Sequence, residues 1–302
     1  MTREEDVHEI DLTELFEIIW NRKLFILLSV TLSAVFSVIY ASSQVNYFKS
    51  DALLKIVDNL GTSTQSPPGG YASFLGLNMS VDSNLHEELV ATIKSKDFFK
   101  IILLHGEYIL PNISAAIDFD MDERSIIYNE NIYDPKKNIW IDNRKPSFLN
   151  AYRKYANMLN VGIEKDSGFL DISVEHVSPI FAKELIDIIV IETNILFKNN
   201  QLEESSRSLI FLNNKLETES LVNIRDAAQQ LIVKNLEKQM MANINEDFVL
   251  SFIDNSYVYE NKSRPNKPLI CFLGTIVGFL ASVLYVLITH FIRKNKDLVH
   301  NS

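Results

Sequence analysis

The stretch LFILLSVTLSAVFSVIYA, residues 24–41, contains no Asp, Glu, Lys or Arg, and it has a counterpart near the other end of the chain. The counterpart is LICFLGTIVGFLASVLYVLITHFI, residues 269–292. A helix needs about 20 apolar residues to cross a hydrocarbon core of roughly 30 Å. Because backbone groups in lipid must be bonded internally, both stretches are predicted to be transmembrane helices. The sequence therefore predicts a domain anchored to one membrane at both of its ends.

The charges beside the two stretches predict the orientation of the chain. Basic residues collect on the cytoplasmic side of membrane proteins. Such residues flank the outer ends of both stretches: Arg22, Lys23, Arg293, Lys294 and Lys296. Both termini are therefore predicted to be cytoplasmic, and the intervening domain is predicted to lie on the far side of the membrane.

Residues 1–23, which precede the first stretch, help to decide whether that stretch is a cleaved signal peptide or a retained span. A cleaved signal peptide would begin with a short basic region, whereas residues 1–23 are rich in acid, so a retained span is favoured. Residues 8–20, HEIDLTELFEIIW, have the pattern of a short amphipathic helix at the membrane surface. A simple solvated lead-in is the alternative for this segment.

Composition limits the possible partners and stabilising bonds. The formal net charge is −10, and the segment between the spans carries more acid than base, which disfavours nucleic acid as a partner. The single cysteine, Cys271, lies inside the second span. No disulfide can form within the chain, so the outer domain must be stabilised by its core.

Alternation and turn signals predict a mixed base domain. Residues 48–56 alternate as a strand does, and Leu85, Leu89 and Ile93 share a helical face. A capped helix from Ser147 leads to a β-hairpin, whose turn is residues 165–168. Residues 58–80 are rich in glycine and proline and are predicted to be a loop, and residues 106–147 to be irregular.

The long segment after the base is predicted to be a helical hairpin. Ser178 and Pro179 are typical of a helix start, and neither glycine nor proline occurs from 180 to 264. A three–four spacing predicts a coiled-coil-like seam. The seam residues are Leu202, Leu209, Leu212, Leu216, Leu221, Ile224 and Leu231. Since the chain must return to the membrane, a turn is predicted within 213–222, followed by a last strand in 248–259.

The predicted fold class is an α+β membrane protein, in which two transmembrane helices flank an α/β base domain with a long helical hairpin. The predicted segments are 1–23 (cytoplasmic), 24–41 (first span), 42–179 (base), 180–247 (hairpin), 248–264 (return strand), 265–292 (proline-rich approach and second span) and 293–302 (cytoplasmic tail).

Motifs for catalysis are missing from the sequence. It has no P-loop, no nucleophile elbow and no metal-spaced His/Cys cluster. The run DFDMDE supplies Asp118, Asp120 and Asp122, for which a solvated acidic loop is favoured over a calcium loop or a sugar-transferase D-x-D motif. No catalytic residue, metal or cofactor is predicted, although paired carboxylates for glycan hydrolysis would leave no sequence signature.

The start of the second span carries a distinctive pattern. Pro265 and Pro268 are predicted to stop the preceding strand and to hold an extended approach to the span. Gly274 and Gly278 form a small-xxx-small face that lets helices approach closely. Their alternative role is as ordinary glycines of a membrane helix. Contact with a helix is favoured.

Taken together, these segments resemble the Wzz-type chain-length determinants, which are bacterial polysaccharide co-polymerases. The matching parts are IDLTELFEIIWNRK (10–23), YFKSDALLKI (47–56), VEHVSP (174–179) and RPNKPLICFLGTIVG (264–278). Tyr259, Glu260 and Asn261 stand where family members often have further prolines. The tyrosine-kinase domain that is fused in some relatives has no counterpart.

The resemblance implies a homo-oligomer of the bacterial inner membrane, with both termini cytoplasmic and the main domain periplasmic. It implies control of the length of a lipid-linked glycan, commonly O-antigen, made by a membrane polymerase, without a catalytic site. The expected partners are other copies, the polymerase and the lipid-linked glycan itself. Two alternatives remain: an export adaptor working with a separate cytoplasmic tyrosine kinase, and a periplasm-facing glycan-active enzyme.

Overall fold

The computed structural model describes residues 18–57, 81–218, 222–259 and 261–300. The predicted surface helix of residues 8–17 and the predicted loop of residues 58–80 lie outside these ranges. The chain forms two compact units, one of Met1–Asn46 with Arg264–Ser302 and the other of Tyr47–Ser263.

The helices and strands of the described residues follow one another as α1 (Lys23–Ser43), β1 (Phe48–Ile56), α2 (Val81–Ile93), α3 (Lys96–Leu104), α4 (Ile109–Ala115), β2 (Ala116–Asp120), β3 (Ser125–Tyr128), β4 (Tyr133–Asp134), β5 (Ile139–Trp140), a 3₁₀ turn (Ile141–Asn143), α5 (Phe148–Met158), β6 (Leu159–Ile163), β7 (Leu170–His176), α6 (Pro179–Thr218), α7 (Val222–Ile244), β8 (Leu250–Asp254) and α8 (Lys267–His300). Helices and strands are both present and α1 and α8 are long and apolar enough to span a membrane, which confirms the predicted fold class.

A four-stranded antiparallel sheet forms the base, in the order β6-β7-β1-β8. Alternate residues of β1 are buried, because one face of a half-buried strand is turned to the core at every second residue. The register sets Leu54 opposite Leu170. The predicted hairpin of β6 and β7 is confirmed, and its turn contains Gly168 at a φ of +72°, a conformation that glycine adopts without strain.

The core lies where helices cover this sheet. The first turns of α6 supply fully buried apolar side chains, and α2, α3 and α5 complete the layer. Tyr155 is buried within it, and its hydroxyl donates to the carbonyl oxygen of Ile93 at 3.0 Å. This bond satisfies a polar atom that would otherwise be costly to bury.

The prediction that residues 106–147 are irregular is wrong. The segment contains helix α4 and two small antiparallel sheets, β2–β3 and β4–β5. Each strand is only two to five residues long, which is too short to show a period in the sequence. Asn138 lies between β4 and β5 with a φ of +55°, a conformation that asparagine tolerates better than most residues.

The long segment folds back on itself, as the predicted hairpin requires. Helix α6 has 40 residues, so it is about 60 Å long at 1.5 Å per residue. It packs along α7, and Gln239 Nε2 donates to Ser206 Oγ at 3.0 Å across the pair. Since Thr218 ends one helix and Val222 begins the next, the two helices are antiparallel.

A buried asparagine ties α6 to the returning chain. Asn194 is 6% exposed, and its side-chain oxygen accepts bonds from the backbone N–H groups of Val249 (2.8 Å) and Leu250 (2.9 Å). Its side-chain nitrogen donates to the carbonyl oxygen of Leu250 at 2.9 Å. The start of β8 is thereby held against the middle of a helix.

A second buried polar group lies at the end of β7. His176 Nδ1 accepts from the backbone N–H of Ser178 at 3.0 Å, so Nε2 carries the proton and donates to the carbonyl oxygen of Asn112 at 2.9 Å. Ser178 in turn accepts from the backbone N–H of Phe181 and caps α6. Burial lowers the pKa of His176 to about 4, because the charged imidazolium would be removed from water.

Candidate functional site

The spanning helices meet through small residues. Gly274 and Gly278 of α8 face Ser37 and Ser33 of α1, and a Cβ atom added to either glycine would overlap with the facing serine side chain. Ser33 Oγ donates to the carbonyl oxygen of Gly274 at 2.8 Å. The two glycines thus serve close contact between α8 and α1 of the same chain, which is one form of the helix contact expected from their spacing.

The same contact continues along α8. Ser282 and Val286 are almost fully buried there, and the rings of Phe25 and Tyr285 stack with centroids 5.5 Å apart. The first span is therefore more than an anchor, because its serines supply the hydrogen-bonding side of the contact.

The two prolines occupy different positions at the start of α8. Pro265 precedes the helix, whereas Pro268 is its second residue, so the prediction that both prolines hold an extended segment is wrong for Pro268. Asn266 Oδ1 accepts from the backbone N–H of Leu269 at 3.4 Å. A proline in the first turn costs no helical hydrogen bond. The helix therefore begins at Lys267, two residues before the apolar stretch that starts at Leu269.

The predicted seam residues divide between two environments. On α6, Leu212 is buried and Leu202, Leu209 and Leu216 are partly buried. On α7, Ile224 and Leu231 are 43% and 49% exposed, and they lie four positions before and three positions after the buried Ala228, on the same helical face. Leu221 lies outside the described residues. The buried residues of α7 are Ala228 and Ala242, 14 positions apart and so on one face.

A stripe of apolar side chains on α7 is left without cover in the single chain. It consists of Val222, Val233, Leu236, Met240 and Ile244. These residues fall within one face at 3.6 residues per turn, about a third of a turn away from the buried alanines. The stripe is contiguous from Val233 to Ile244, and exposed contiguous apolar surface marks interaction sites in soluble proteins.

The three candidate aspartates lie in and just after β2, and their hydrogen bonds are local. Asp120 Oδ1 accepts from the backbone N–H groups of Asp122 (2.8 Å) and Glu123 (3.0 Å) between β2 and β3. Asp118 accepts from the backbone N–H of Phe119. Within the described residues, no group of three or more His, Cys, Asp or Glu is placed to hold a metal ion.

A cleft in the base domain was not predicted from the sequence. It lies between the start of α4, the β4–β5 sheet and the start of α5, and its volume is about 510 Å³. Glu107, Asn138, Trp140 and Lys145 line it. No spacing in the sequence relates these residues, since folding of the 106–147 segment brings them together.

Residues 8–103 match the model of the Wzz family, described as chain length determinant protein. Over these residues, about a third of its length, the chain is similar to the Wzz family. The matched residues include α1, β1 and the helices that begin the base, so the family's pattern covers the first span and the central strand of the sheet. No curated protein matches the chain at a significant level.

One solved structure similar to this chain is a full-length bacterial polysaccharide co-polymerase. It covers 94% of this chain and 99% of its own length, at 12% sequence identity and a TM-score of 0.42. Those values are too low to transfer any residue's role.

Proposed function

We propose that this protein is a non-catalytic, oligomeric scaffold of the bacterial inner membrane that sets the length of a lipid-linked surface polysaccharide. The observation that carries the proposal is the match of residues 8–103 to the chain length determinant family. In this proposal the glycan is of the O-antigen type and is made by a separate membrane polymerase. Both termini are cytoplasmic and the base and hairpin are periplasmic, in accord with the positive-inside rule.

The uncovered stripe of α7 supports assembly of several copies. Five large apolar residues on one face would stay in water in a single chain, at a cost of roughly 25 cal/mol for each Å² of apolar surface. A second copy offers the same kind of apolar surface, whereas the acidic chain offers little to an anionic partner. In the proposal, the stripe packs against a neighbouring copy.

The function is tested by the glycan-length ladder of a deletion strain. Loss of the gene is expected to replace a narrow modal distribution with a broad one, and a plasmid copy is expected to restore it. An unchanged ladder after deletion would rule the proposed function out.

Assembly is tested separately on the full-length protein in nanodiscs or mild detergent. The double variant Leu236→Glu with Met240→Glu is expected to lower the oligomer mass measured by light scattering and to broaden the ladder. Lys234→Glu is the matched control, because it adds the same carboxylate to an exposed position off the stripe. Equal masses for both variants would show that the stripe is not the contact.

A further inference from the structure

The cleft beside Trp140 combines an aromatic wall with hydrogen-bonding groups. Trp140 is half-buried and packs on Tyr133, with ring centroids 5.1 Å apart. Glu107, Asn138 and Lys145 also line the cleft. A volume of about 510 Å³ lies within the range of roughly 300–1,000 Å³ that small-molecule pockets occupy.

The polar groups of the cleft are held in place by the fold. Tyr133 donates from its hydroxyl to Asn138 Oδ1 at 2.5 Å, which turns the amide nitrogen of Asn138 toward Glu107 Oε2, 3.4 Å away. Asn138, Asp142 and Asn143 all have positive φ values. These conformations hold Trp140 within a short and tightly bent segment. Residues with such uncommon backbone conformations are frequent at ligand sites.

The chemistry of the lining selects a class of ligand. A carboxylate and an amide can bond to hydroxyl groups, and an indole ring offers an apolar face for the C–H groups of a ring. Lys145 and Glu107 together bring no net charge, which disfavours a phosphate-rich ligand. A sugar ring presents hydroxyl groups at its edge and C–H groups on its faces, so it matches the lining.

We propose that this cleft binds a sugar unit of the polysaccharide, with Trp140 as the stacking surface and Glu107, Asn138 and Lys145 as hydrogen-bonding partners. The identity of the glycan rests on the proposed function. A growing glycan on its lipid carrier and a released glycan share this chemistry.

The two tryptophans of the chain make a direct binding test possible. Trp20 and Trp140 are its two tryptophans, so a Trp20→Phe background leaves Trp140 as the sole indole fluorophore. The full-length protein is placed in phospholipid vesicles, which avoid sugar-based detergents and add no tryptophan. Two probes are titrated separately: the oligosaccharide released by mild acid from the bacterium's surface polysaccharide, and the same glycan on its lipid carrier.

Saturable change in Trp140 emission is expected with both probes, and the lower Kd identifies the form that the cleft receives. Lys145→Ala and Glu107→Ala are each expected to raise the Kd about tenfold, the effect of losing a hydrogen bond to a charged group. Lys136→Ala is the control, since Lys136 is an exposed lysine of the neighbouring turn that does not line the cleft. No change in emission, or the same Kd in all variants, would overturn the proposal.

The glycan ladder separates this proposal from the proposed function. Trp140→Leu, Lys145→Ala and Glu107→Ala are expected to restore a ladder with an altered modal length in the deletion strain. If all three restore the wild-type ladder and neither probe binds, the cleft proposal fails while the function stands. If the wild-type gene itself leaves the ladder unchanged, the proposed function fails whatever the fluorescence result.

Discussion

Ser33 Oγ lies 2.8 Å from the carbonyl oxygen of Gly274, so a side chain of one spanning helix reaches the backbone of the other. One turn along, Ser37 Oγ donates to the carbonyl oxygen of Ile270 at 2.9 Å. Such bonds require that the backbones approach closely, which small residues permit in membrane helices. Close approach of the two backbones and the two interhelical hydrogen bonds therefore occur at the same place.

Gly278→Leu is expected to separate the two spanning helices. The added side chain would overlap with Ser33, and overpacking of this kind costs roughly 1–3 kcal/mol. The measurement is the thermal melting midpoint of the full-length protein in nanodiscs, which should fall. Val277→Leu is the control, because Val277 is 64% exposed on the neighbouring face. A midpoint for Gly278→Leu equal to that of the control would contradict this packing.

Ser33→Ala and Ser37→Ala are expected to have smaller effects. Alanine keeps the close approach and removes only the interhelical bond, whose average worth in a membrane protein is about 0.6 kcal/mol. The matched control is Ser42→Ala, since the hydroxyl of Ser42 bonds within its own helix, to the carbonyl oxygen of Ile39 at 2.9 Å. If either variant lowered the melting midpoint as far as Gly278→Leu does, hydrogen bonding rather than shape would dominate the contact.

Asn194→Ala is expected to loosen the return of the chain from the hairpin. It removes three hydrogen bonds to the backbone of Val249 and Leu250, and leaving such buried groups unpaired costs about 3 kcal/mol. Urea unfolding followed by Trp140 emission in the Trp20→Phe background measures the loss. Asn157→Ala, at an exposed position of α5, should stay within about 0.5 kcal/mol of the parent. Equal midpoints for the two variants would contradict a stabilising role for the Asn194 hydrogen bonds.

The stability of the base is expected to fall in mild acid because of His176. Its pKa is lowered from 6.5 to about 4 in the folded chain, so between these values the unfolded chain binds a proton that the folded chain does not. Its contribution to stability is therefore intact above pH 6.5 and is lost as the pH falls toward 4, by about 3 kcal/mol.

Urea midpoints measured from pH 7 to pH 4 check this dependence. His176→Gln keeps a donor and an acceptor but cannot be protonated in this range, so its midpoint should fall less steeply with acid. His86→Gln changes a histidine that is not fully buried and should follow the parent. A parallel course of the His176→Gln and parent curves would assign the acid sensitivity to other groups.

The sequence predicts an element correctly where strand alternation or a capping signal extends over enough neighbouring residues. The strand β1, the β6–β7 hairpin and the start of α6 at Ser178 and Pro179 were predicted because alternation and capping act between near neighbours. The 106–147 segment was missed because its strands of two to five residues are set by pairing and not by period. The cleft beside Trp140 could not be predicted either, because folding of this segment forms it.

The predicted seam has different surroundings on the two helices of the hairpin. On α7 the three–four spacing places Ile224, Ala228 and Leu231 on one face, where Ala228 is buried and the other two are 43% and 49% exposed. The alanine is covered, and the larger side chains on either side of it are only partly covered in the single chain. Spacing alone could not tell a contact within the hairpin from a surface for another copy.

The sequence by itself determined the two spans, the fold class and the reversal of the long helix, because hydrophobicity and double anchoring act on the chain whatever its tertiary contacts. Tertiary structure alone decided the partner of the Gly274 and Gly278 face, which is Ser33 and Ser37 of the same chain. It also decided which polar groups surround Trp140. Both depend on residues far apart in the chain being brought within hydrogen-bonding distance, and no local pattern records such distances.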